Sequence, residues 1–201
     1  MVLEFSTTPA DRMGIIKLTE GDIIILQKLA PDLKYNSYKN IIHGSLSFDL
    51  QFGEDGRHIK DKYEIEIDLN RNEHGVPVVR ETEKKIRNIA IQKGIKLVDM
   101  HINANDEMCL IIPPKIEEKY PNGFDLERLI YHIQEHLYYI SHVERFNSEP
   151  WKAYNHGDEG YLDLYLEDRD KYSEVFKCYF QCSSRPDFRR KLKELRKAYK
   201  K

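Results

Sequence analysis

The chain has 201 residues, a formal net charge of −2 and 40% apolar residues, which suffices for one globular domain with a hydrophobic core. It lacks the run of about 18 apolar residues that a membrane span needs, and it does not begin with a signal-peptide pattern. Three cysteines, an odd number, exclude a disulfide framework. We therefore expect a cytoplasmic protein with reduced thiols and no membrane partner.

The first half of the chain predicts one helix and then a sheet. Residues 1–14 look irregular. Thr19 and Asp22 have the spacing of a capping box, which predicts a helix that ends before Pro31.

Alternation of apolar and polar residues predicts the strands of an antiparallel sheet with one buried face. The alternation is evident over residues 42–52 and clearest over residues 62–69. A polar turn over residues 70–75 leads to a further strand at residues 76–80. The segment 84–96 is ambiguous between a short helix and a strand.

A loop that contains a candidate reactive cysteine follows the predicted sheet. His101 and Asn103 lie two positions apart, and after a short polar stretch Cys109 begins an apolar run that ends at Pro113 and Pro114. A cysteine in a loop can serve as a nucleophile if it is exposed and ionises at modest cost. The alternative for an isolated cysteine is a small buried apolar residue.

The second half predicts helices. Apolar residues at three-to-four spacing over residues 126–140 indicate a long helix with Asn122 or Asp125 as its cap. A further helical stretch is expected from about residue 158 to residue 180. Cys178 and Cys182 would share one face of it, without a second pair to complete a tetrahedral zinc site, so we expect no metal. The order of elements indicates the α+β class.

The end of the chain is basic. Residues 185–201 contain nine Lys or Arg and two Asp or Glu, a local charge of +7, which leaves −9 for the other 184 residues. A solvated terminal helix, docking to an acidic partner and contact with nucleic acid all remain open. Nucleic acid is the least expected of these, because only Phe188 and Tyr199 supply aromatic rings.

The pattern resembles the ubiquitin-conjugating (UBC) fold, in which a helix, a four-stranded antiparallel meander, an active-site loop and C-terminal helices follow one another. That family carries His-Pro-Asn before a catalytic cysteine that is commonly followed by leucine. Here the matching residues are His101-Ile102-Asn103 and Cys109-Leu110. The resemblance covers about residues 15–145. We expect a UBC-like domain over residues 1–184 and a basic tail or helix over residues 185–201.

A closer similarity is to bacterial members of this superfamily found in CBASS antiphage operons. It is carried by the strand at residues 59–67, by Cys109-Leu110, and by His156-Gly157 followed by Gly160. The resemblance implies a protein substrate, either a cGAS-like nucleotidyltransferase or a ubiquitin-like tail. The chain has no nucleotide-binding glycine loop, so a separate activating enzyme or an already activated partner would be required.

The resemblance also implies roles for the site residues. Cys109 would carry a protein C-terminus as a thioester, Asn103 would donate to the oxyanion, and His101 would brace the loop. Asp106 or Glu107 could orient the incoming amine, and His156 could shape the wall of the site. We expect no cofactor, and the sequence leaves a homodimer open.

The resemblance leads to one main hypothesis and two alternatives. The main hypothesis is a ubiquitin-conjugating-like transferase that passes the acyl group from Cys109 to a target amine, conjugating a cGAS-like nucleotidyltransferase in bacterial antiviral defence. The first alternative is a catalytically inactive UBC-fold binding module or scaffold. The second is a cysteine hydrolase acting on such conjugates with His101 or His156.

Overall fold

The computed structural model describes residues 15–73, 75–103 and 105–199, so the irregular segment predicted for residues 1–14 lies outside the described residues. The described chain is α+β and divides into two compact units, with the boundary after Pro150. The predicted domain extents, 1–184 and 185–201, stay predictions. No described helix combines the length and the apolarity needed to cross a membrane.

The first unit opens with helix α1, which spans Glu20–Leu29. The predicted capping box is confirmed. The Thr19 hydroxyl accepts from the Asp22 amide at 3.2 Å, and the Asp22 carboxylate accepts from the Thr19 amide at 2.7 Å. Leu26 and Ala30 are buried, which orients the helix with its apolar face toward the core.

Four antiparallel strands follow in the order β1-β2-β3-β4. They are β1 Leu33–Asn36, β2 Ile41–Leu50, β3 Ile59–Glu73 and β4 Val76–Glu81. The alternation predicted over residues 62–69 is confirmed, since Tyr63, Ile65 and Ile67 are buried and their polar neighbours are not. The turn predicted over residues 70–75 is wrong in its first part. After a shift in register, β3 continues to pair with β4 as far as Glu73.

The ambiguous segment after the sheet forms helix α2, Lys85–Lys93. Its N-terminus is capped from outside the helix, because the Glu81 carboxylate accepts from the amides of Glu83 at 2.7 Å and Ile86 at 3.3 Å. Burial raises the pKa of Glu81 despite these donors. Gly94 ends the helix in the left-handed region, at φ +65°.

The long predicted helix is confirmed as α4, Leu126–Phe146, after a short α3, Ile116–Lys119. Asp125, rather than Asn122, caps α4 by accepting from the Arg128 amide at 2.9 Å. The apolar residues that suggested the helix are buried: Leu126, Leu129, Ile130, Ile133, Leu137 and Ile140. This face packs against α1 and the sheet.

A buried polar chain ties α4 to the sheet. The hydroxyls of Tyr63 and Ser141 are hydrogen-bonded at 2.8 Å, and the Ser141 hydroxyl also lies 2.9 Å from an oxygen of Asp61. Lys85 pairs with the other Asp61 oxygen at 2.6 Å. The network thus links β3, α2 and α4.

Replacing Ser141 by alanine is expected to lower the free energy of unfolding by about 2 kcal/mol, because it leaves the buried Tyr63 hydroxyl without its partner. Adding Tyr63→Phe should recover part of that loss, since no unpaired hydroxyl remains. Urea denaturation of the two single variants and the double variant measures the coupling. Strictly additive losses would contradict the proposed link between the two hydroxyls.

The described residues of the second unit form three helices, α5 Gly157–Glu167, α6 Arg169–Tyr179 and α7 Arg185–Ala198. The continuous helical stretch predicted for residues 158–180 is wrong at Asp168, which leaves the helical conformation and caps α6 by accepting from the Lys171 amide at 3.0 Å. Cys182 lies beyond the end of α6, so it does not share a helical face with Cys178. The unit has a small core of its own, formed by Leu162, Tyr165, Phe176 and Leu195.

Candidate active site

The candidate active-site loop begins at His101, which packs against α4. A short 3-10 helix, Leu97–Met100, ends at His101, which takes the left-handed conformation at φ 55°. The His101 ring packs edge-on against the rings of His136 and Tyr139 on α4, with centroids 6.2 and 5.5 Å apart. These contacts fix the start of the loop, an arrangement compatible with a bracing role, which stays a prediction.

The loop itself is a small β-hairpin. Ile102 pairs with Met108, and the Cys109 amide donates to the His101 carbonyl at 2.8 Å. Ile102 and Met108 are buried, 4% and 7% exposed. Because side chains alternate between the two faces of paired strands, Asn103 and Cys109 are placed on the opposite face from this buried pair.

The turn of the hairpin is tight. The Asn103 amide donates to the Glu107 carbonyl at 2.8 Å, and the Asp106 amide donates to the Asn103 carbonyl at 3.0 Å. Asp106 takes the left-handed conformation, at φ 64°, as expected at the bulge of a hairpin with a three-residue loop. The short connection between Asn103 and Cys109 is therefore closed by backbone hydrogen bonds.

The hairpin extends the sheet beyond β4. The Met108 amide donates to the Val79 carbonyl at 2.8 Å, and Arg80 forms a bridge with Glu107. Cys109 therefore follows directly on a segment that is hydrogen-bonded to the edge of the main sheet. The position of Cys109 is therefore set by the main sheet, which is a rigid support.

Ion pairs between acidic residues of the turn and arginines outside it hold the turn in place. The buried Glu107 carboxylate, 5% exposed, accepts from Arg71 Nη1 at 2.7 Å and pairs with Arg80. Burial alone would raise the pKa of Glu107, but hydrogen bonds from Arg71, Asn105 and Arg80 outweigh it and lower that pKa.

Asp106 pairs with Arg87 of α2, whose Nε lies 3.1 Å from the carboxylate. Both acidic residues that could orient an amine are therefore engaged with arginines, and that role stays a prediction. The arginines had no signal in the sequence, because they lie on β3, β4 and α2, far from the loop along the chain.

Cys109 is partly exposed and opens into a groove of about 90 Å³. The groove is lined by β4, the hairpin and the segment that leads into α3: Val76, Pro77, Val78, Asn103, Glu107, Met108, Cys109, Leu110, Ile111, Pro113 and Ile116. Its volume is well below the roughly 300 Å³ of a typical small-molecule pocket.

Asn103 faces this groove with its side-chain amide unbonded to any described residue. Its backbone amide and carbonyl are used in the hairpin, whereas the side chain is exposed. Asn103 and Cys109 are diagonal neighbours across the hairpin, and side chains so placed are generally within about 8 Å of each other. An amide donor at that separation can reach an oxygen on an acyl group carried by the sulfur.

The remaining predicted residue, His156, belongs to the second unit, where it is partly buried immediately before α5. The structure thus brings Asn103, Glu107 and Cys109 together in one groove, with His101 and Asp106 on the same hairpin. Among the described residues, no group of three or more histidine, cysteine or acidic side chains is arranged to hold a metal ion.

In comparisons with known proteins, no family model, curated protein or solved structure matches this chain.

Proposed function

We propose that this protein is a ubiquitin-conjugating-like transferase that carries a protein C-terminus as a thioester on Cys109 and passes it to a target amine. The observation that carries the proposal is the groove shared by Cys109 and Asn103, on a hairpin tied to β4 and α4. A partly exposed cysteine and an asparagine that line one groove on the same hairpin meet two needs of acyl transfer, a nucleophile and an amide donor.

The chemistry takes two steps. The Cys109 thiolate attacks an activated C-terminal carbonyl, a carbon–sulfur bond forms, and the activating group leaves with the electron pair of its bond. A lysine amine then attacks the thioester, loses a proton to solvent, and expels the Cys109 thiolate. Both steps pass through a tetrahedral oxyanion, to which the Asn103 amide could donate.

The resemblance to bacterial antiphage proteins suggests the partner, a cGAS-like nucleotidyltransferase whose C-terminus would be conjugated. The groove beside Cys109 is lined mainly by apolar side chains, and the C-terminal end of such a substrate would lie along it. An activating enzyme would supply the carboxylate in reactive form.

The loading step can be tested without the natural partner. A fluorescent peptide ending in glycine, supplied as its 2-mercaptoethanesulfonate thioester, should acylate Cys109 in a form cleaved by dithiothreitol. Cys109→Ser should give a dithiothreitol-resistant ester, and Cys109→Ala should give no adduct at that position. Intact-mass and peptide mapping identify the acylated residue.

Cys178 provides an internal control. Cys178 is more exposed than Cys109, so exposure alone would make it load faster. We expect Cys109 to load at least about tenfold faster than Cys178, because a nucleophile in its binding groove gains from positioning. Equal rates, or loading unchanged by Cys109→Ala, would refute the proposal and favour the inactive binding module.

The fate of the peptide separates transfer from hydrolysis. With free lysine present, the transferase should yield a peptide–lysine amide. Release of the free peptide acid at a rate indifferent to lysine would instead support the cysteine hydrolase. The same readout can then be applied to the nucleotidyltransferase with an activating enzyme and ATP.

A further inference from the structure

Helix α7, Arg185–Ala198, has two different sides. Leu195 is buried, and Phe188 and Leu192 are partly buried against Leu162, Tyr165 and Phe176. Tyr199 follows Phe188 by eleven positions, about three turns, and so lies on the same side. The apolar side therefore belongs to the core of the second unit, and the rest of the helix surface is left for another role.

The outward side is basic, and most of its charges are not neutralised. Arg190 pairs with Asp187 at 3.0 Å, and Lys191 pairs with Glu194 at 3.3 Å. Five further cations are exposed and form no ion pair with any described residue: Arg185, Arg189, Lys193, Arg196 and Lys197.

The geometry of these five cations is regular. At 100° and 1.5 Å per residue, they occupy an arc of about 120° over a length of about 18 Å. No acidic residue falls within this arc, because Asp187 and Glu194 project beyond its edge. Such a continuous row of like charge costs free energy in repulsion unless polyanions or counterions accompany it.

We propose that this row, Arg185, Arg189, Lys193, Arg196 and Lys197, binds the phosphate backbone of a nucleic-acid duplex without reading its sequence. Double-stranded DNA presents one negative charge per about 1.7 Å of its axis, so a helix face about 18 Å long meets several phosphates. Arginine is suited to such contacts because its planar guanidinium can bind phosphate in a bidentate manner.

Two features favour a duplex over other acidic partners. Apart from Pro186 the arc contains no apolar side chain, whereas the centre of a protein–protein interface is depleted of charge and enriched in aromatic residues. Binding to single strands depends on aromatic stacking. The aromatic rings of Phe188 and Tyr199 lie outside this arc, and Phe188 packs against Phe176 with centroids 5.2 Å apart.

The basic residues of α7 are not interleaved with aromatic rings, which made nucleic acid the least expected partner from the sequence. This lack of aromatic rings argues against base stacking and hence against binding of single strands. It does not bear on a phosphate contact to a duplex, which requires only unpaired cations in a row. This inference is independent of the chemistry proposed for Cys109.

The test is fluorescence anisotropy with a labelled 20-base-pair DNA duplex of arbitrary sequence, titrated with the full chain at 50 to 200 mM salt. With up to five phosphate contacts, the plot of log K against log salt should have a slope of about −4.5. The variant Arg189→Gln/Lys193→Gln/Arg196→Gln removes three contacts while keeping good helix formers. Its slope should be shallower by about 3, and its affinity at 50 mM salt at least tenfold weaker.

The matched control is Lys28→Gln/Lys39→Gln/Lys152→Gln, which removes the same charge from exposed lysines outside α7. It should retain the affinity within about twofold, as should Cys109→Ala. The proposal is overturned if the two triple variants bind alike or if no saturable binding occurs at 50 mM salt. Tighter binding of a poly-dT strand or of polyglutamate than of the duplex would also overturn it.

Discussion

Replacing Asn103 by alanine is expected to slow transfer from a loaded Cys109 thioester to lysine by about 100-fold. Loss of one oxyanion donor costs about 3 kcal/mol in the transition state, and the Asn103 amide is the donor that faces the groove without a described partner. Single-turnover transfer of a preloaded peptide measures this step apart from loading.

The control variant is Asn103→Asp, which has nearly the same shape but lacks the amide donor. If Asn103 acts as a donor, the aspartate variant should be at least as slow as the alanine variant. Neither change should alter the backbone hydrogen bonds of the hairpin, so the melting temperature should stay within about 1–2 °C of the wild type. An aspartate variant with full activity would contradict the role.

Much of the first unit could be predicted because its elements follow strong local rules. The capping box at Thr19 and the alternation around Tyr63 each specify an element from a few neighbouring residues. Strand β1 escaped prediction because it has four residues with one buried side chain, Leu33. Such a short strand depends on its neighbour in the sheet rather than on its own pattern.

The site was predictable only in part, for a related reason. The positions of Cys109 and Asn103 within a loop followed from the sequence, but the supports of that loop did not. Arg71, Arg80 and Arg87 reach the hairpin from elements far away in the chain. Long-range ion pairs leave no local signature, so only the fold reveals which charges are structural.

The break between α5 and α6 at Asp168 shows another limit of prediction from the sequence. The apolar spacing continues from α5 into α6, and periodicity alone cannot locate an interruption that keeps both helices on one core. Aspartate can cap a helix as well as continue one, and here its side chain takes the cap.

Replacing Glu107 by glutamine is expected to loosen the hairpin at neutral pH. It removes a buried charge that two arginines share, a loss of about 2 kcal/mol after allowing for the partial exposure of those arginines. Hydrogen exchange at the amides of Asn103, Met108 and Cys109, which are all bonded within the hairpin or to β4, should become about 30-fold faster.

The effect should depend on pH in a defined direction. The pKa of Glu107 is lowered in the folded protein, so its stabilisation is complete above the unfolded pKa near 4.5 and is lost as the pH falls through the folded value. The difference in opening free energy between wild type and Glu107→Gln should be constant from pH 7 to about pH 5 and shrink below that. A difference that stays constant as the pH falls below about 4.5 would contradict the ionic origin.

Glu54→Gln is the matched control, since Glu54 is exposed and forms no ion pair with a described residue; it should leave exchange unchanged. A hairpin that opens more often yet stays mostly closed retains its chemistry. Glu107→Gln should therefore alter exchange strongly and transfer only modestly, whereas Asn103→Ala should do the reverse. This crossed pattern would separate the residue that holds the loop from the residue that acts on the acyl group, and a parallel loss in both variants would show that the two roles are not distinct.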